Sequence, residues 1–181
     1  QASFEEYKTN NKISISIAEI DRHIQMAINA KKQVLKPRNI EIVNIGYPIN
    51  TANEEYAPVL LPDGNGMLFT SRREGGFSDD KDFQGNYFQD IYFSEFNNHK
   101  WQTVSNKKAL NSKLNDGCVS ISHDGLSIIS YIVADNNSKS ALPTSGDLCY
   151  SNYTDSTLWT KPQKFGVSIN SEYNELSACF S

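Results

Sequence analysis

The first regular pattern of apolar residues has the spacing of an α-helix and runs through 14–35. Its apolar side chains recur mostly three or four positions apart and fall on one stripe: Ile17, Ile20, Ile24, Ala27, Ile28 and Leu35. Lysines gather at the C-terminal end, where cations complement the helix dipole, and Pro37 ends the pattern. We therefore expect a helical segment of one or two helices over 1–38.

From residue 39 onward the pattern is typical of β-strands. An apolar run over 40–45 predicts a first short strand. The stretch 49–73 then predicts a strand at 57–61, a turn at Asp63-Gly64 and a second strand. Asp-Gly favours a tight hairpin because both residues tolerate a positive φ.

The pattern of 49–73 returns in full at 110–131 and begins again at 169–181. Four features keep the same order in the two full units, and the first of them recurs in the third: an asparagine, an Asp-Gly turn, an aspartate that precedes a strand, and a tryptophan. They lie at Asn50, Asn111 and Asn170, at Asp63-Gly64 and Asp124-Gly125, at Asp90 and Asp147, and at Trp101 and Trp159. Self-similarity of this kind indicates a repeat architecture and takes precedence over local propensity.

Each unit supplies about four short strands, so the repeat predicts a mainly β fold. Four antiparallel strands repeated head to tail are typical of β-propeller blades. We expect an incomplete β-propeller with two four-stranded blades, 49–109 and 110–168, and the start of a third at 169–181, preceded by the helical segment. A closed ring needs at least about four blades. We therefore expect a fragment of a longer protein, or strand edges that another copy or a partner covers.

Composition and charge exclude several classes of partner. A net charge of −4 and a pI of 5.4 provide no basic field for nucleic acid, and no apolar run approaches the roughly 18 residues of a membrane span. The chain starts at Gln1 without an initiator methionine or a signal peptide, as expected of a processed or excerpted chain. Three cysteines imply no disulfide framework and are expected as small buried residues or, in an oxidising compartment, as one bridge.

The polar residues of the repeat are interpreted as architectural. Asp63 and Asp124 are explained as hairpin residues by their glycine neighbours, and four more acids in the repeat are expected to cap or bridge turns: Glu54, Glu55, Asp116 and Glu175. The three histidines lack metal-site spacing, and the chain has neither a Gly-x-Ser-x-Gly elbow nor a glycine-rich phosphate loop. We therefore expect no enzymatic activity and no cofactor.

An alternative function is a propeller that acts on carbohydrate, either as an enzyme or as a binding protein. A glycoside-cleaving enzyme requires two carboxylates about 5–9.5 Å apart in one pocket. The enzyme alternative therefore depends on two acidic side chains outside the repeat frame pointing into the same pocket.

The segment 74–89 has no equivalent in the second unit and separates two strands that would otherwise join more tightly. It carries four aromatic residues after two arginines: Arg72, Arg73, Phe77, Phe83, Tyr87 and Phe88. Long loops in compact domains are usually functional or disordered, and the aromatics argue against disorder. We interpret these six residues as a candidate docking site for a protein or a cell-wall component. In the alternative, the aromatics fold back and cover the face of the sheet.

The repeat residues resemble a known family. The turn Leu61-Pro62-Asp63-Gly64 and the Asp-Ile-Tyr strand that starts at Asp90 resemble the WD-like, TolB-type β-propeller repeat, although the second unit has a histidine in place of the proline. The arginine pair and the aromatic insertion are similar to those of OmpA-family proteins of the Bacteroidetes cell envelope. In those proteins tetratricopeptide repeats precede the propeller, and some members belong to type IX secretion. The helix at 14–35 is similar to the last helix of such a tetratricopeptide region.

The resemblance covers 14–181 and implies a non-catalytic interaction or scaffold module. It implies a location in the periplasm or at the outer membrane of a Gram-negative cell, with envelope proteins as partners. Copies of the chain or missing blades are further expected partners, because they would complete the propeller. The sequence contains no OmpA-like domain, so the resemblance does not imply peptidoglycan binding by this chain.

Overall fold

A computed structural model describes residues 16–133, 146–154 and 158–181. The chain divides into two compact units, 1–43 and 44–181. The described chain contains one α-helix and two antiparallel sheets, and about a third of it, 33%, is strand. The predicted mainly β fold is therefore confirmed.

Helix α1 spans Ile17–Val34 in the first unit. Ser16 caps its N-terminus, since the Ser16 side chain accepts a hydrogen bond of 3.2 Å from the amide of Glu19. Ile20 and Ile24 are buried, so the centre of the predicted apolar stripe is covered. The predicted start at residues 14 and 15 lies outside the described residues.

Helix α1 is not apolar enough along its length to span a bilayer. Within the described residues, no helix combines the length and the hydropathy needed to cross a membrane. The stripe of α1 instead alternates with charged side chains, as in a helix that packs one face against protein.

The strand predicted over 40–45 is wrong. Residues 37–46 contain no strand, and Ile42 is 94% exposed. An apolar run becomes a strand only when a neighbouring strand takes up its backbone hydrogen bonds. The described residues provide no such neighbour at this position.

The first sheet contains five strands: β1 (Glu55–Leu60), β2 (Gly66–Ser71), β3 (Asp90–Asn97), β4 (Lys100–Trp101) and β5 (Ser105–Asn106). Strands β1, β2 and β3 follow one another in space. Both β4 and β5 pair with the far edge of β3, where Trp101 lies opposite Phe96 and Ser105 opposite Phe93. They are thus two parts of one interrupted fourth strand. The sheet curls into a half-barrel.

The second sheet has the same order. It consists of β6 (Asp116–Ile121), β7 (Ser127–Val133), β8 (Gly146–Asn152) and β9 (Gln163–Lys164). A short 3-10 helix, Lys108–Leu110, precedes it. The fourth strand is again in two parts, because Trp159 makes an isolated bridge with Tyr153 beyond the end of β8. Each sheet is therefore a four-position antiparallel meander.

The two Asp-Gly turns have the same geometry. Gly64 and Gly125 adopt φ angles of 73° and 74°, which glycine takes without the steric cost of a side chain. The aspartates contribute differently from the prediction, because in these turns only the glycines adopt a positive φ. The carboxylate of Asp63 accepts from the amide of Asn65 at 3.0 Å, and that of Asp124 from Leu126 at 2.9 Å.

The two tryptophans of the repeat occupy equivalent positions. Trp101 packs on Phe96 with ring centroids 4.9 Å apart, and Trp159 packs on Tyr153 at 5.2 Å. Each pair joins the third strand of its sheet to the interrupted fourth strand. The tryptophans therefore support the first part of each interrupted fourth strand.

The repeated acids build the same turn three times. In each turn a hydroxyl donates to the acid four residues later: Thr51 to Glu55 (2.7 Å), Ser112 to Asp116 (3.0 Å) and Ser171 to Glu175 (2.5 Å). The backbone amides of Thr51 and Ser112 donate to the same carboxylates. The prediction that these acids cap turns between units is confirmed for these three residues.

Strand β2 is buried on both faces. Met67 and Phe69 pack with Ile49 and Tyr92 on one side. Leu68 lies on the other side, in a cluster shared with the second sheet that also contains Ile91, Leu110, Cys118 and Ile128. The main core thus lies between the two sheets, and β2 is its central strand.

Candidate functional site

Arg73, one of the six candidate docking residues, is half-buried against the first sheet. Its side chain is 12% exposed and forms an ion pair of 3.1 Å with Glu55. The guanidinium also donates to Ser71 Oγ and to the carbonyls of Pro48 and Ile49. It lies 5.0 Å from the ring centroid of Phe69, a cation–π distance. Arg73 therefore fixes the segment that leads into β1.

Arg72 ties the segment 74–89 to the sheet. Its guanidinium donates to Asp82 Oδ2 and to the carbonyl of Tyr87, both at 3.0 Å. Its Nε also lies 3.4 Å from the carboxylate of Glu54, which precedes β1. One side chain therefore holds the middle of the loop, at Asp82, and its C-terminal end, at Tyr87.

Asp82 organises the interior of the loop. Its Oδ1 accepts from the amides of Gln84 (2.9 Å) and Asn86 (3.0 Å), and its own amide donates to the carbonyl of Asn86 (2.8 Å). Gly85 adopts a φ of 85° between them. The loop tip is thus a hydrogen-bonded turn held in place by Arg72.

The four loop aromatics differ in exposure. Phe83, next to Asp82 at the tip, is 80% exposed, and Phe77 is 39% exposed. Tyr87 and Phe88 are half-buried, and Lys81 Nζ lies 4.3 Å from the ring centroid of Tyr87. The two aromatics near the end of the loop therefore cover protein, while Phe83 points its ring to solvent.

The start of the loop packs tightly on Asp90, the first residue of β3. The amide of Phe77 donates to Asp90 Oδ2 at 2.7 Å, and a Cβ added at Gly76 would lie 2.0 Å from the same oxygen. Glycine is therefore required at this position by the close approach of the carboxylate. Within the described residues Asp90 Oδ1 has no hydrogen-bond donor.

Asp90 and Asp116 are both buried carboxyls at the junction of the two sheets. Burial raises the pKa of Asp90 to about 6. Burial also raises the pKa of Asp116 to about 8, opposed by hydrogen bonds from Ser112, and the nearby charge of Asp90 adds to the increase. Sequence reasoning assigned both residues to the repeat but gave no sign that the two carboxyls influence each other.

A cavity of about 460 Å³ lies between the sheets at their Asp-Gly turns. Its lining includes the rings of Phe93, Tyr153 and Trp159 and three carboxylates, Asp63, Glu95 and Asp124. Asp63 and Asp124 belong to the turns. The carbohydrate-enzyme alternative requires two carboxylates outside the repeat frame, and in this cavity only Glu95 meets that description.

Metal-ligand chemistry is limited in the described part of the chain. No group of three or more His, Cys, Asp or Glu residues there is arranged to hold a metal ion. Cys118 and Cys149 are free and buried, and Cys179 is free and exposed. In the loop, both carboxylate oxygens of Asp82 are engaged by Arg72 and two backbone amides.

Sequence reasoning missed how the two arginines are used. They were grouped with the aromatics as docking residues, whereas both make ion pairs and hydrogen bonds within the chain. The signal that could have shown this is that Glu55 recurs as Asp116 in the second unit, whereas the residues there that correspond to the arginine pair are Val133 and Ala134. When an acid recurs in two units but a cation is present in only one of them, an ion pair specific to that unit is indicated.

The comparisons with known proteins identify no relative. No protein-family model, curated protein or solved structure matches the chain. The resemblance to TolB-type propellers therefore stays a prediction.

Proposed function

We propose that the chain is a non-catalytic protein-binding module whose docking surface is the loop 74–89. The observation that carries the proposal is the position of Phe83. Its ring is 80% exposed at the tip of a loop that Arg72 and Asp82 hold in one conformation. Aromatic side chains dominate binding energy at protein interfaces, and a loop that is ordered before binding loses less entropy when it binds.

The geometry of the loop favours docking by its tip. Tyr87 and Phe88 are half-buried against the chain, so they support the loop, whereas Phe77 and Phe83 offer apolar surface. Arg72 and Arg73 act indirectly, by positioning the loop and the segment before β1. The partner surface that fits such a tip is an apolar pocket large enough for one phenyl ring.

We further propose that the two sheets are blades of a β-propeller. Both are four-position meanders with equivalent Asp-Gly turns, tryptophan pairs and interrupted fourth strands. The turn that begins at Asn170 repeats the hydroxyl-to-acid hydrogen bond of the two earlier turns, as the opening of a third unit would. Missing blades or further copies of the chain are the partners that would complete such a ring.

The proposed location, the periplasm or the outer membrane, rests on the resemblance of the repeat to Bacteroidetes envelope proteins. The same resemblance makes envelope proteins the proposed partners, with roles in secretion or outer-membrane assembly. The resemblance is supported by the Pro-Asp-Gly turn, the arginine pair and the aromatic insertion.

The docking proposal is tested by placing a photo-crosslinking amino acid at position 83 in the host cell. A discrete crosslinked protein is expected from position 83, and none from the exposed control position Tyr173. With that protein purified, Phe83→Ala should weaken binding at least about tenfold and leave the melting temperature unchanged. Tyr173→Ala should bind like the wild type.

Two results would contradict docking by the loop. Deletion of 75–85 could lower the melting temperature while partner binding stays unchanged, which would favour the alternative that the aromatics cover the sheet. Binding of the wild-type chain to a glycan array, undiminished by Phe83→Ala, would favour the carbohydrate-binding alternative.

A further inference from the structure

The turn that begins the second unit holds the third strand of the first sheet through four hydrogen bonds. Asn111 Oδ1 accepts from the amide of Ile91 at 2.8 Å, and its Nδ2 donates to the Ile91 carbonyl at 3.0 Å. Asn115 Oδ1 accepts from the amide of Gln89 at 3.1 Å, and the amide of Asp116 donates to the Gln89 carbonyl at 2.8 Å. We call the three binding residues, Asn111, Asn115 and Asp116, a strand clamp.

The turn that begins the third unit forms a second strand clamp of the same kind. Asn170 Oδ1 accepts from the amide of Leu148 at 3.0 Å, and its Nδ2 donates to the Leu148 carbonyl at 2.9 Å. Asn174 Oδ1 accepts from the amide of Gly146 at 2.7 Å, and the amide of Glu175 donates to the Gly146 carbonyl at 3.3 Å. In both clamps the bound residues are two apart, so their backbone groups face the same side of the strand.

The first unit contains a third copy of this arrangement at Asn50, Glu54 and Glu55. Asn50 Nδ2 donates to Asn44 Oδ1 at 2.7 Å, as Asn111 Nδ2 donates to Asn106 Oδ1 at 3.2 Å. In all three copies the Nδ2 group thus donates to a residue five or six positions earlier. Within the described residues Asn50 Oδ1 has no donor, and no third strand lies against it.

Glu54 and Glu55 match the remaining positions of a strand clamp. Glu55 lies opposite Ser71 in its hairpin as Asp116 lies opposite Ile132, so the two backbone amides point the same way out of their sheets. Glu54 replaces the amide oxygen of Asn115 with a carboxylate, and its side chain is 74% exposed. Its Oε2 lies 3.4 Å from Arg72 Nε, which leaves Oε1 to accept from a bound strand. An ionised carboxylate is the stronger acceptor for a backbone amide.

We propose that Asn50, Glu54 and Glu55 form a strand-binding site that takes the third strand of another unit of the same repeat. The bound strand is extended and contributes the amide and carbonyl groups of residues i and i+2, as in recognition by β-strand addition. In the two clamps within this chain the i+2 residue is a buried Ile91 or Leu148 and follows an aspartate. A strand with an Asp followed by a branched aliphatic residue is therefore the expected ligand. This proposal rests on the repeat architecture and not on the loop 74–89.

The test uses a capped synthetic peptide with the sequence of residues 88–94, which contains Gln89, Asp90 and Ile91. Binding to the wild-type chain is expected to shift the NMR signals of the Asn50 side-chain amide. Asn50→Ala should weaken binding about tenfold or more, because two hydrogen bonds are lost. The matched control is Asn53→Ala, an exposed asparagine in the same turn, which should change affinity less than about twofold.

A second peptide, N-methylated at the residue equivalent to Ile91, lacks the amide hydrogen that Asn50 Oδ1 would accept, and it should not bind. The proposal is overturned if the unmodified peptide causes no shift at about 1 mM, or if Asn50→Ala or the N-methylated peptide binds as the wild-type pair does. The Phe83→Ala chain should bind the peptide normally, which separates this result from the docking function of the loop.

Discussion

The backbone amide of Cys118 donates a hydrogen bond of 3.0 Å to the side-chain hydroxyl of Thr70, and both residues are buried. Thr70 lies on β2 and Cys118 on β6, so this bond joins the two sheets directly. A Cβ added at neighbouring Gly117 would lie 3.4 Å from the same hydroxyl. The sheets are therefore close enough here that the Cys118 amide depends on Thr70 for its partner.

Thr70→Val should lower the free energy of unfolding by about 1–3 kcal/mol, because it leaves a buried backbone donor without an acceptor while it keeps the side-chain volume. Urea unfolding followed by circular dichroism measures the change. Thr70→Ser is the matched control, since it keeps the hydroxyl and should cost less. A loss of stability in Thr70→Ser with none in Thr70→Val would show that the methyl group, and not the hydrogen bond, stabilises the contact.

Asn111→Ala should lower the free energy of unfolding by about 2–3 kcal/mol. The substitution removes an amide that is buried and bonded to both backbone groups of Ile91. Asn50→Ala removes the equivalent side chain at a more exposed position and should cost less than about 1 kcal/mol. Both changes in the free energy of unfolding are measured by urea unfolding. A loss of stability in Asn50→Ala as large as that in Asn111→Ala would contradict the finding that, of these two residues, only Asn111 binds a strand of the described chain.

Stability should fall as pH rises from about 4 to about 8. Burial raises the folded-state pKa of Asp90 to about 6 and that of Asp116 to about 8, whereas in the unfolded chain both lie near 4. Above pH 4 the folded chain therefore holds more protons than the unfolded chain, and each further rise in pH favours unfolding. Melting temperatures measured from pH 4 to pH 8 test the direction.

Asp90→Asn should reduce the loss of stability between pH 4 and pH 6. At pH 7 it should raise the free energy of unfolding by up to about 3 kcal/mol. The asparagine oxygen can still accept the hydrogen bond from Phe77. Asp79→Asn, which changes an exposed loop carboxylate, is the matched control. A profile that rises with pH in the wild type would contradict the raised pKa values of the two buried carboxyls.

Asp82→Ala should loosen the loop 74–89 without unfolding the sheets. The substitution removes the oxygens that bind Arg72 and the amides of Gln84 and Asn86, so faster hydrogen exchange and faster proteolytic cleavage are expected within the loop. Asp80→Ala, a neighbouring exposed acid, should leave both rates unchanged. A large drop in melting temperature for Asp82→Ala would instead make the loop part of the folded core.

The architecture could be predicted from sequence wherever the same residue type has the same structural role in each unit. Asp63 and Asp124 were predicted as turn residues, and both accept from the amide two residues later. Repetition supplied that information, since a residue shared by two units is explained by what the units have in common. The four-position order of each sheet followed from the same argument.

The prediction failed or was incomplete where a residue depends on contacts distant in sequence. The apolar run at 40–45 has the composition of a strand, yet a strand also needs a neighbour that sequence pattern does not supply. Arg73 was assigned to a docking surface because nothing local shows that the carbonyls of Pro48 and Ile49 lie beside it. The mutual influence of Asp90 and Asp116 likewise depends on how two sheets pack.

Because of the strand clamps, the segment that must fold together as one unit extends beyond the end of the sequence repeat. Because Asn111 and Asn170 bind strands of the preceding sheet, each sheet is completed by the first seven residues of the next repeat. Opening such a turn would expose backbone groups of its predecessor, so partial unfolding should spread backward along the chain. Any truncation or domain fusion should therefore be cut after Asp116 or Glu175, not at the start of the repeat.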